Sequence, residues 1–386
     1  MIKVKEVLKK NTMLIALVVV TIIFAISTNG ILLVPGNVTN LISQNGYVVV
    51  LAVGMLMCIL TGGNIDLSVG SVVALVGALA GKLIVTKGLN IWLSIALCLI
   101  AGILIGVWQG FWIAYIRIPA FIVTLAGMLL WRGVALIILD GLTISPFPEN
   151  YLNLFNSYIP DVFNGTSLNI TCILIGVVIS LIYIIIQSMS YINKTKKGYQ
   201  TEKLYIIILK AVLICSIIIT LSITLARHKG IPMTLVIIGV IVIVYAYITS
   251  KTVAGRHLYA VGGNEKAAKL SGINTNKVLF MSYVNMAFLS AIAALMCVAR
   301  FNSAAPTAGT NYEMDAIGSC YIGGASAYGG AGSVPGVVIG AVFMGILNNG
   351  MSIRGIDSNV QKAIKGLVLL AAIAFDVISK YRAKNA

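Results

Sequence analysis

Two glycine-rich stretches interrupt long apolar runs and carry polar side chains at the break. The first is Thr61-Gly62-Gly63-Asn64-Ile65-Asp66-Leu67-Ser68-Val69-Gly70-Ser71, and the second is Ile322-Gly323-Gly324-Ala325-Ser326-Ala327-Tyr328-Gly329-Gly330-Ala331-Gly332. Backbone that leaves a helix at membrane depth survives only inside protein or beside a watery cavity. Interrupted helices in corresponding positions of two halves are a sequence pointer to a transport path. A lone carboxylate such as Asp66 is costly between apolar spans and is expected to face an interior. Asp66 also stands where a helix would begin, so it could cap free N–H groups there. Capping and ligand contact are compatible, and the sequence leaves both open.

Bond-breaking chemistry is not legible. No G-x-x-x-x-G-K-[ST] phosphate loop and no nucleophile motif occurs. The six cysteines lack ligand-like spacing and read as small buried hydrophobes, while His228 and His257 stand alone. The expectation is a protein without metal or cofactor that is not an enzyme. If ATP drives it, hydrolysis belongs to another chain.

The elements that must position these breaks follow from composition. Of 386 residues, 59% are hydrophobic and 10% charged. A water-facing surface needs about 25% charged residues, so most of this surface faces lipid. About 20 apolar residues cross the hydrocarbon. That rule gives spans near 13–34, 41–60, 67–85, 91–114, 120–139, 169–187, 204–226, 231–250, 278–299 and 360–378, with 313–350 as a glycine-broken hairpin. The expected fold is all-α integral membrane, with about ten transmembrane helices in pseudo-repeated halves forming one polytopic domain over 1–386. The first span reads as a retained anchor rather than a cleaved signal, because its apolar character continues to Val34. Glycines four apart, as in Gly102, Gly106 and Gly110, suit close helix packing. Trp108 and Trp112 read as interfacial anchors.

The formal charge is +16. Alternating the spans from a cytoplasmic N-terminus puts 17 of the 27 basic residues on one side, including Lys9, Lys10, Lys196, Lys197, Lys266, Lys269 and Lys380. That excess marks the cytoplasmic face and places both termini there. Asp140, Glu149, Asp161, Glu313, Asp315 and Asp357 then fall in or beside the opposite loops. No aromatic-interleaved basic stripe is present, so nucleic acid is not an expected partner. Within the inner loop 251–277, Asn264 suits an N-cap, Glu265 and Lys269 suit the two ends of a helix dipole, and Gly272 suits a left-handed stop. This short amphipathic helix could lie on the membrane or dock into a protein.

The stretch Gly62 to Ser71 resembles the GGIDLSVGS motif of ribose- and xylose-type (multiple monosaccharide) ABC importer permeases, departing from it at Asn64. Asn264 to Ile273 is similar to their cytoplasmic EAA-type loop. Gln109-Gly110-Phe111-Trp112, Ile118 to Gly127, Asp315 to Ser326 and Gly345 to Ser352 extend the likeness over nearly the whole chain. The resemblance implies a homodimer of permease copies in the cytoplasmic membrane, an ABC ATPase subunit and an extracytoplasmic sugar-binding protein. The helix after Asn264 would be the coupling helix, with Asn264, Glu265, Ala267, Ala268 and Gly272 at the ATPase contact. A neutral sugar offers hydroxyls and apolar ring faces, so its path should present scattered hydrogen-bond groups. Asn64, Asp66, Ser68, Ser326 and Asn348 are the candidates. A branched-chain amino-acid permease of the same kind, or a stand-alone cation-coupled sugar carrier using Asp66 or Glu313, are the alternative readings.

Overall fold

A computed structural model describes residues 12–163, 165, 168–199 and 203–384. Among the described residues all regular elements are helical, and extended pairing is confined to isolated bridges at Ile144–Ala304 and Tyr158–Pro232. The helices are α1 (Thr12–Ser27), α2 (Pro35–Leu60), α3 (Val69–Ala80, continued by π-turns over Gly81–Thr86), α4 (Ile91–Ala114), α5 (Ala120–Leu139) and α6 (Glu149–Asn156). Then follow α7 (Ile170–Lys196), α8 (Leu204–Ala226), α9 (Met233–Lys251), α10 (Val253–Gly263) and α11 (Glu265–Leu270). The chain closes with α12 (Thr275–Phe301), α13 (Tyr312–Ile322), α14 (Val334–Ile353) and α15 (Ser358–Lys384).

Nine of these, α2 to α5, α7 to α9, α12 and α14, are long and apolar enough to cross a membrane. The sequence reading is corrected in three places. The first apolar helix ends at Ser27, where Thr28 Oγ1 turns back to the Phe24 carbonyl, rather than running to Val34. The last helix forms over the expected 360–378 as part of Ser358–Lys384 and is not among the nine. The stretch 313–350 is a half-length helix followed by a full-length one, with the glycine break at 323–333 between them. The lysines before residue 12 lie outside the described residues.

Helix α2 forms the centre, buried without a gap from Val48 to Leu60. Because lipid is as apolar as leucine, close packing rather than a hydrophobic drive holds such helices together. The stripe Gly102, Gly106 and Gly110 does this against α12: a Cβ at Gly102 would come within 2.6 Å of Ala291, and one at Gly106 within 2.6 Å of the Val284 backbone. Helices α7 and α8 pair with each other at the periphery and are mostly exposed.

Candidate functional site

The two glycine breaks meet. After Leu60, Gly62 and Gly63 adopt positive φ (124° and 75°), which lets the chain reverse where a side-chain-bearing residue would be strained. A Cβ on Gly63 would lie 2.0 Å from the Ala327 carbonyl oxygen. From the other break, the Gly330 amide donates to the Leu60 carbonyl at 3.1 Å. A third backbone joins at the end of α10: a Cβ on Gly262 would sit 1.7 Å from the Leu60 oxygen, and the Tyr259 hydroxyl donates to the Gly332 carbonyl at 2.8 Å. Glycine is therefore required by approach distance. The junction ties α2, the 323–333 break and α10 at the lysine-rich end of the bundle.

One residue beyond α10 comes α11, as the sequence predicts. The Asn264 side chain accepts from the Ala267 amide at 3.0 Å, Ala268 is buried, and Gly272 ends the turn at φ 84°. Two features were not legible beforehand. Glu265 pairs with Arg117 in the α4–α5 loop at 2.7 Å, and Arg117 also donates to Thr275 and Asn276. Leu270 is 90% exposed.

The five path candidates do not gather in one place. Asn64 folds back on Thr61. Asp66 Oδ1 accepts from the Ser68 amide (2.8 Å) and hydroxyl (2.6 Å), and both residues are buried. Gln109 completes this knot. Its amide nitrogen faces Asp66 Oδ2 at 3.3 Å and its oxygen accepts from Trp131 Nε1 at 3.1 Å. Asp66 thus holds Ser68, the residue that precedes the first turn of α3, and no side chain caps that turn's free amides. Ser326 Oγ accepts from the Tyr328 amide and holds the second break, where Asp376 accepts from Ala327. Asn348 lies apart on α14, hydrogen-bonded to Asp315.

Sequence reasoning missed a different polar strip. Between α12 and α13 the chain is irregular from Asn302 to Asn311. It starts at Ala304, paired with Ile144 beside Gly81, and reaches Gly309, whose backbone lies against Gly70 in the first turn of α3. The eleven steps from Gly81 to Gly70 rise about 16 Å, more than half of the 18-residue span Val69–Thr86, so the strip runs well inside the length of that span. Arg132, in the middle of α5, holds it by donating to the carbonyls of Pro306 (3.3 Å) and Ala308. Glu313 sits beside Gly70 within electrostatic reach of Arg132. Asp315 pairs with Lys365 of α15 at 2.9 Å, and Tyr47 stacks on Tyr312. Glu313 and Asp315 lie beside this irregular segment, in the first turn of α13, with their side chains buried. Thr307 and Thr310 are exposed on the strip. Hydroxyls and irregular backbone at this depth must face water or protein, not lipid. The one available signal was Arg132 inside an apolar run, since such residues mark pathways.

Neither assembly has the arrangement of a metal centre, and among the described residues no cluster of His, Cys, Asp or Glu could hold an ion. The family described as branched-chain amino acid transport system / permease component matches residues 37–373. The xylose transport system permease protein XylH of Haemophilus influenzae is 35% identical over 98% of this chain and 99% of its own. That of Escherichia coli K12 is 34% identical over 96% and 92%. The ribose import permease protein RbsC of Escherichia coli K12 is 32% identical over 96% and 94%. No solved structure matches the chain.

Proposed function

The chain belongs to this permease family, and we propose that it is the membrane-spanning subunit of an ATP-dependent importer carrying a monosaccharide of the xylose type. The observation that carries the reading is the end-to-end likeness to xylose and ribose permeases, joined to a polar strip inside the bilayer. Binding energy and ATP chemistry reside on other chains: an ABC ATPase in the cytoplasm and an extracytoplasmic sugar-binding protein. The lysine-rich end is cytoplasmic, in keeping with the positive-inside rule.

A second copy of the chain covers the Thr307–Thr310 strip, and the sugar moves between the copies. Threonine hydroxyls and backbone carbonyls suit a neutral polyol, which needs weak contacts at several positions and strong ones at none. Asp66, Ser68 and Gln109 position α3 behind this wall; Asn64 and Ser326 shape the cytoplasmic breaks that close it; Asn348 steadies Asp315. Asn264, Glu265, Ala267, Ala268 and Gly272 form the coupling helix, and Leu270 is its apolar knob for the ATPase. Movement of α11 reaches both breaks through the Gly262–Leu60–Gly330 contact. Access then alternates between the two faces.

The test is reconstitution of the tagged chain with its co-purifying subunits in liposomes. Uptake of labelled xylose that requires ATP and loaded binding protein, and survives a protonophore, is the expected result. Uptake by the chain alone under a proton gradient would make it a secondary carrier.

A further inference from the structure

A groove of about 560 Å³ opens between α9 and α12, floored by Met57 of α2 and bounded by α10. It lies at the root of the α10–α11 pair and is separate from the polar strip. Its walls are largely apolar, with Ile248, Leu258, Ile273 and Met281 among them, and Met281 is 53% exposed. At the cytoplasmic mouth stand His257, Asn274 and Lys277. Deeper in, Asn285 accepts from the Tyr245 hydroxyl, which leaves its amide Nδ2 as a buried donor without a hydrogen-bond partner among the described residues. Among the described residues no carboxylate lines the groove.

We propose that this groove binds an anionic phospholipid of the inner leaflet, with its headgroup at Lys277 and His257, its ester region at Asn285, and an acyl chain along Ile248 and Met281. Three features select this occupant. A cation beside an apolar trough at the cytoplasmic surface matches an anionic headgroup continued by hydrocarbon. Glycerol esters carry acceptors and no donors, the complement of Nδ2. Asn285 lies ten residues into α12, about 15 Å along the helix, which is beyond the reach of an ATPase docked at α11. The lipid would then brace α10, the helix that carries Gly262 to the junction.

The experiment is native mass spectrometry of the purified transporter, delipidated and then titrated with phosphatidylglycerol or phosphatidylcholine vesicles. Phosphatidylglycerol should bind with preference. K277Q, at an exposed first-turn position that keeps the fold, should weaken it about fivefold, as expected for one lysine near an anionic surface. N285L should weaken both lipids about tenfold through the lost hydrogen bond. Equal binding of the two lipids by wild type, or no effect of K277Q, would overturn the proposal. So would a disulfide from M281C to the ATPase or to a second copy, since either would show protein in the groove. Lipid occupancy is read without transport, so this proposal and the cargo assignment fail independently.

Discussion

Asp66 illustrates how a charged side chain in a membrane protein can be structural. Its carboxylate is buried and committed to the Ser68 amide and hydroxyl, with Gln109 on its other oxygen. Removing it leaves three polar groups facing nothing, at a cost of about 1–3 kcal/mol for each unpaired buried group. D66A should therefore lower the thermal midpoint in detergent markedly. D66N, which keeps an acceptor for Ser68, should lower it less, and transport per folded molecule should follow stability in both. If D66N keeps full stability but abolishes uptake, Asp66 contacts the cargo instead. Asp161, in the loop before α7, is a carboxylate of the opposite kind. Desolvation pushes its pKa up, but hydrogen bonds from Thr171, Gly165 and Ile170 outweigh that and hold it well below the usual carboxylate range. A depressed folded value means its contribution is complete above about pH 4, the unfolded value, and fades only as pH falls further. Protease cleavage of this loop should thus be flat from pH 7 to 4 and rise at neutral pH in D161N. A rise in wild type between pH 6 and 5 would contradict the hydrogen-bonded ring.

At the scale of elements, the Glu265–Arg117 pair shows what such contacts do. Both side chains are about two-fifths exposed, so the pair adds at most ~1 kcal/mol to stability. What it does is tie α11 to the α4–α5 loop, which Arg117 also joins to the start of α12. E265K, which sets two cations together, should lose sugar-stimulated ATPase activity while the protein still inserts, and R117E/E265K should recover part of it. Uptake unchanged in E265K would remove α11 from the coupling route; an unrescued double variant would remove only the pair. The helix itself was readable, since Asn264, Glu265, Lys269 and Gly272 are local signals within one turn of their targets. Arg117 was not, because it is 148 positions away and nothing local marks a long-range ion pair. The same division holds for the spans. Hydropathy located α2 to α5, α7 to α9 and α12, because crossing lipid imposes length and composition on each one separately. It failed for α13, whose eleven residues are too short to register and whose acids looked like loop residues. Whether Glu313 is inside or out depends on Arg132 and Gly70, which hydropathy cannot see.

The whole molecule poses the question of what covers the strip from Pro306 to Thr310. One copy leaves Thr307 and Thr310 exposed beside α5, whose Leu129 and Ile137 are 69% and 78% bare. Apolar α5 residues could face lipid indefinitely, but the strip could not, because its hydroxyls and turns would lose water without gaining partners. In the proposed homodimer, a partner copy packed along α5 would resolve this by turning the strip toward an enclosed aqueous path. Cysteine chemistry discriminates the arrangements, since thiols react as thiolates and need water. In a cysteine-free background, T307C should react with a charged methanethiosulfonate reagent, and modification should block uptake. I208C, on the exposed face of peripheral α8, should stay unmodified. I137C should form a disulfide between copies in membranes. An inert T307C together with no I137C cross-link would mean that the copies meet elsewhere and that the path does not run along this strip. A reactive T307C without a cross-link would keep the strip wet and move the dimer contact off α5.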